Sequence, residues 1–94
     1  MKELVLNGSE WRTKDDVYDA FFAAVGAPEW HGRNLDALND SIGGGDINRI
    51  EVPYRVAITN YGKISGDAVQ MTERLVELLR DLAARGIAVE VRIE

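Results

Sequence analysis

The sequence predicts a two-layer α/β fold, a three-stranded, mostly parallel sheet with helices packed on one side. Three observations carry this expectation. The elements read in the order β-α-α-β-(turn)-α-β, and strands separated by helices run parallel through right-handed crossovers. The helix that begins near Asp67 has a wide apolar face, as suits a helix lying on a sheet. The last strand alternates Ile87, Val89, Val91 and Ile93 with Ala88, Glu90, Arg92 and Glu94, so one of its faces is wet.

Each element follows from local signals. Residues 3–6, ELVL, form a short strand ended by the turn pair Asn7-Gly8. Thr13 and Asp16 make a capping box, and Val17, Phe21, Ala24 and Val25 recur at helical spacing behind it. Gly26 ends that helix and Pro28 prevents its return. A second helix runs from Leu35 to Ile42 with Asn34 as its cap. The following GGGDINRIE is glycine-rich and expected to be mobile. Residues 52–58, VPYRVAI, are a strand with Pro53 at its start. TNYGKISG is either loop or a broken helical turn. Asp67 and Gln70 suggest a second capping box, opening a helix to about Arg85. Its apolar rows are Met71, Leu75, Leu78, Leu82 and, beside them, Val69, Val76, Leu79, Ala83. Gly86 stops it, and residues 87–93 make the last strand.

The chain has 94 residues, enough for a single domain, 1–94, with one core. Hydrophobic residues are 46% and charged residues 29%, the ordinary globular balance, and no repeat or low-complexity tract interrupts it. The net charge is −5 and the pI about 4.8. That argues against direct binding of nucleic acid, which favours a basic face. It favours a basic partner. The acid is uneven: residues 1–50 hold 5 Lys+Arg and 9 Asp+Glu, residues 51–94 hold 6 and 7. Without cysteine, thiolate catalysis and cysteine–metal sites are excluded, and a reducing compartment is favoured. No signal peptide and no membrane span are read, so a cytoplasmic location is expected.

The candidate site is the stretch PEWHGRNLDALND. At about 100° per residue, Leu35, Leu38 and Ile42 form one stripe, and Asp36, Asn39, Asp40 and Gly43 share the opposite face. Asp36 lies near the helix N-terminus, where negative charge is favoured. Asp40 lies near the C-terminus, where it is not. The pair repels at i,i+4, with Arg33 placed to offset part of the repulsion. An ordinary solvated face accounts for this arrangement; so does a binding surface that costs some stability. Trp30 and His31 precede the helix as an exposed-looking aromatic pair. Trp30 is either a core plug or an interface anchor. His31, the one histidine, is structural, superficial or pH-sensing. Catalysis is not expected: the glycine run has no GK[ST] behind it, there is no nucleophile elbow, and too few ligands converge for a metal. No cofactor is expected.

Pro28, Glu29, Trp30, His31, Gly32, Asn34, Leu35, Asp36, Ala37, Leu38 and Asp40 together resemble the barstar family of intracellular ribonuclease inhibitors. The likeness extends to the opening strand ended by Asn7-Gly8, the proline-started middle strand, the long helix closed by Gly86 and the final strand. It implies a three-stranded parallel sheet with helices on one side. It also implies inhibition by plugging, in which the acidic helix and its preceding loop enter a nuclease's basic groove, with carboxylates where RNA phosphates would sit. By the same resemblance Asp40 is the central carboxylate and Asp36 its neighbour. Trp30 packs on the enzyme beside His31, Gly32 and Asn34 form the turn presenting the helix, and Asp81 contributes from the long helix. Where the family has a helix tryptophan this chain has Asn39, and where it has a following aromatic this chain has Gly43-Gly44-Gly45. The implied partner is a basic ribonuclease of extracellular or toxin type, bound by a chain that is monomeric when free. The alternative is a family-like binding module with a regulatory, non-nuclease partner.

Overall fold

The computed structural model describes Met1–Glu94. Its elements are β1 (Lys2–Asn7), α1 (Lys14–Val25), α2 (Leu35–Gly44), β2 (Tyr54–Thr59), a 3-10 turn (Tyr61–Lys63), α3 (Asp67–Ala84) and β3 (Val89–Ile93). The strands form one sheet in the order β1-β2-β3, and both pairings are parallel. The register aligns Leu4, Val56 and Val91, then Leu6, Ile58 and Ile93, on one face. Apart from Ile93, which is 40% exposed, that face packs under the helices, in a core with Val17, Phe21 and Val25 of α1 and Leu75, Leu79 and Leu82 of α3. The other face carries the row Glu3, Arg55, Glu90. Arg55 Nε lies 3.1 Å from Glu90, and Arg55 Nη1 3.6 Å from Glu3. Opposite charges directly across strands are favourable there, and the alternation in β3 had marked this face as wet.

The α1 capping box forms: Thr13 Oγ1 accepts from Asp16 N at 3.2 Å, and the Asp16 carboxylate accepts from Thr13 N at 2.9 Å and Arg12 N at 2.8 Å. Gly26, at φ 65°, closes the helix in the left-handed region. The second expected box does not form. Gly66, at φ 61°, caps α3 without a side-chain hydrogen bond, and Asp67 is the first helical residue. A Cβ at Gly66 would stand 2.5 Å from the Arg12 carbonyl oxygen, which itself accepts from Ala68 N at 3.3 Å. A distant backbone carbonyl therefore does the work assigned to an aspartate. One apolar row of α3 also shifts. Val69 is 42% exposed and Ala83 is exposed, whereas Ala68 and Thr72 are buried, with Thr72 Oγ1 donating to Ala68 O at 2.7 Å. The helix starts one residue earlier than a cap at Asp67 requires, and it presents the adjoining stripe to the sheet.

The remaining differences are small. Helix α2 continues through Gly43 and Gly44 and stops at Gly45, φ 75°. TNYGKISG contains the 3-10 turn. Pro53 follows a cis peptide bond just before β2. No helix is long and apolar enough to cross a membrane.

Candidate functional site

The loop before α2 and the outward face of α2 form one surface. Asn34 starts the helix: its Oδ1 accepts from Ala37 N at 2.7 Å, from an extended backbone typical of a cap. Leu38, Ser41 and Ile42 turn inward. Asp36, Asp40 and Gly43 are exposed and Asn39 is half-buried beside them, so the expected outward face is physically continuous. Neither Asp36 nor Asp40 takes part in an ion pair. Arg33 does not offset them as anticipated. Its guanidinium instead reaches back to α1, 3.1 Å from Asp15 and 2.5 Å from Asp19, over the Phe22 ring.

The aromatic pair splits. Trp30 is 74% exposed, so it is no core plug. His31 is 7% exposed, which corrects the expectation of two exposed aromatics. Its ring lies against Phe22, centroids 4.6 Å apart. Its Nδ1 is 2.9 Å from the Gly32 carbonyl oxygen and its Nε2 2.8 Å from Ser41 Oγ. A carbonyl only accepts, so Nδ1 carries the hydrogen in the neutral ring; Nε2 then accepts from the Ser41 hydroxyl. Asn48 Nδ2 donates to the same oxygen at 3.3 Å, leaving Asn48 Oδ1 sealed without a partner. The imidazole thus ties the loop to α2, and Ser41 Oγ carries the link on to the segment after α2. Gly32 fits the tight turn because a Cβ there would approach Asn34 Nδ2 to 3.1 Å and the Ala37 Cβ to 3.3 Å.

Two shallow hollows meet at Asp40. One, of about 190 Å³, lies between Trp30, His31, Gly32, Ala37, Asp40 and Ile47. The other, of about 350 Å³, includes Asn39, Asp40, Gly43 and Arg85. Asp40, which is exposed, lines both. Asp81 lies farther along, on α3, in a groove of about 530 Å³ with Leu35, Arg74, Glu77 and Leu78. It pairs with Arg85 one turn on, so its charge is partly answered within the chain. Glu77 joins Asp81 in that groove and was not singled out from the sequence, although the i,i+4 spacing of the two acids could have flagged it. Ser41 and Asn48 were also missed, for nothing in their local pattern announces a buried bond to His31. No three His, Cys, Asp or Glu side chains gather to hold a metal ion. The arrangement offers two free carboxylates, an exposed indole and a braced loop, which suit recognition of a cationic surface.

The family model described as "Barstar (barnase inhibitor)" matches residues 1–94. A Bacillus subtilis (strain 168) protein named "Putative ribonuclease inhibitor YrdF" is 23% identical over 88 residues, covering 86% of this chain and 92% of that protein.

Proposed function

The chain belongs to the barstar family, whose members are inhibitors rather than enzymes and bind a ribonuclease, and from that premise we propose that it is a cytoplasmic, toxin-immunity type inhibitor that plugs the basic active-site groove of its ribonuclease. Helix α2 and the loop Pro28–Asn34 enter the groove. Asp40, with Asp36 beside it, occupies phosphate positions. Trp30 packs on the rim, while Gly32, Asn34 and, from beneath, His31 hold the loop in shape. Asn39 and Gly43 complete the contact face and Asp81 extends it onto α3. The observation that carries this reading is the pair of exposed carboxylates without internal partners, next to a 74% exposed tryptophan. A groove that binds RNA phosphates is basic, and opposite charge both steers and selects such a partner. The chain acts as a monomer in a reducing compartment, where a domain without cysteine is at home.

Titrating the chain into RNA cleavage by barnase and other small basic ribonucleases tests the reading. Stoichiometric inhibition of at least one is expected, and inhibition of none overturns it. Asp40→Ala removes a charge facing a desolvated cationic groove and should weaken binding by about 2 kcal/mol or more. A loss smaller than about 0.5 kcal/mol, a little over twofold in Kd, would remove Asp40 from the site.

A further inference from the structure

At the N-terminal end of α2 a pocket of about 300 Å³ opens between α1, α2 and α3, lined by Lys14, Tyr18, Arg33, Asp36, Gln70 and Arg74 among others. Three cations gather there on a chain whose net charge is −5. Arg33 is bound to Asp15 and Asp19, but neither Lys14 nor Arg74 forms an ion pair, and Asp36, on the same rim, reaches neither. Tyr18 is only 6% exposed. Its hydroxyl bonds no other residue, yet it is not sealed from solvent as Asn48 Oδ1 is, so it opens on the pocket. Burial raises its pKa and keeps it a donor at neutral pH. The pocket therefore offers two cations without ion-pair partners, a phenol and the Gln70 amide, against the single carboxylate of Asp36 on its rim.

The pocket shares Asp36 with the acidic surface, so a partner seated on Asp36 lies at the mouth of the pocket that holds Lys14 and Arg74. Burying unanswered cations is costly. A wholly basic partner would add repulsion. We propose that the partner's basic groove has an acidic lip, and that an Asp or Glu carboxylate on that lip enters the pocket between Lys14 and Arg74. The inference rests on the inhibitor reading and refines it. Asp36 and Asp40 recognise any phosphate-binding groove, whereas the cationic pocket selects grooves flanked by acid. Such a mixed pattern gives specificity through the pairs it forbids as well as those it makes.

The test measures Kd for barnase with the wild-type chain, Lys14→Glu/Arg74→Glu, Lys14→Arg/Arg74→Lys and Asp40→Ala. If the lip is acidic, the charge-reversed chain binds more weakly by about tenfold, and the charge-conserving chain binds within about twofold of wild type. If the covering surface is basic or neutral, charge reversal tightens binding or leaves it unchanged, and the proposal is overturned. Glu at position 14 suits the first turn of α1, and unfolding midpoints check the fold; Lys14→Gln and Arg74→Gln singly replace a double variant that unfolds. Asp40→Ala keeps the two readings apart. Loss with Asp40→Ala but not with charge reversal retains the plug without the lip, whereas wild-type binding by Asp40→Ala removes the plug and the inference with it.

Discussion

Trp30 and His31 are neighbours in a loop, yet one is 74% exposed and the other 7%. Nothing in their immediate sequence decides this. The direction of His31 is set by Phe22, nine residues earlier, and Ser41, ten residues later, and so by a loop path that exists only once α1 and α2 are packed. The outward direction of Asp36, Asn39, Asp40 and Gly43 was legible, because helical periodicity fixes it locally. His31→Ala takes from the Ser41 hydroxyl its acceptor at 2.8 Å, leaving the longer contact to the Leu38 carbonyl at 3.3 Å, and opens space beside Phe22. It should cost about 2–3 kcal/mol of stability, seen as a lower denaturant midpoint, and should loosen the loop that carries Trp30. Asp40→Ala, at an exposed position without an ion-pair partner, should leave that midpoint nearly unchanged. Equal midpoints for His31→Ala and wild type would show that the imidazole is no brace.

Among the elements, α1 was the most legible, since Thr13, Asp16, Gly26 and Pro28 lie in or next to the helix they start and stop. Asp16 also ties this helix to pH. The backbone N–H groups of Arg12 and then Thr13 hold its pKa below the ordinary carboxylate value. Its ionised form is therefore favoured in the folded state, and the folded chain binds that proton less readily than the unfolded one. The resulting stabilisation is present above the unfolded-state pKa and is lost as pH falls through the folded one. Asp16→Asn should accordingly flatten the fall in melting temperature between about pH 4.5 and pH 2; an unchanged acid limb would show that the box contributes nothing to it. The start of α3 was legible to within a residue, but its cap was not. What caps it is the Arg12 carbonyl, more than fifty residues away in sequence, and a main-chain group leaves no mark in the side-chain code. The only trace is Gly66, which the close approach requires.

For the molecule as a whole, the alternation of strands and helices was enough to give the parallel sheet, because short connections and right-handed crossovers leave few other arrangements. The net charge of −5 likewise belongs to the whole. Its effect on a basic partner reaches about 10 Å at 0.1 M salt and about 3 Å at 1 M. Association with the ribonuclease should therefore slow steeply as salt rises, while dissociation changes much less; stopped-flow rates independent of salt would rule out steering by charge. The strand order has a consequence in time. Because β1 pairs with β2 and β2 with β3, all in parallel, the sheet contains no hairpin, and its ladders wait until loops from Asn7 to Tyr54 and from Thr59 to Val89 have closed. Assembly is thus governed by distant encounters, a slow route for a small chain. Helix α2 leaves the ribosome early, but the α3 surface behind it is among the last parts made. A cell relying on this chain for protection would have to start making it before the nuclease, since a half-synthesised inhibitor has no finished face to offer.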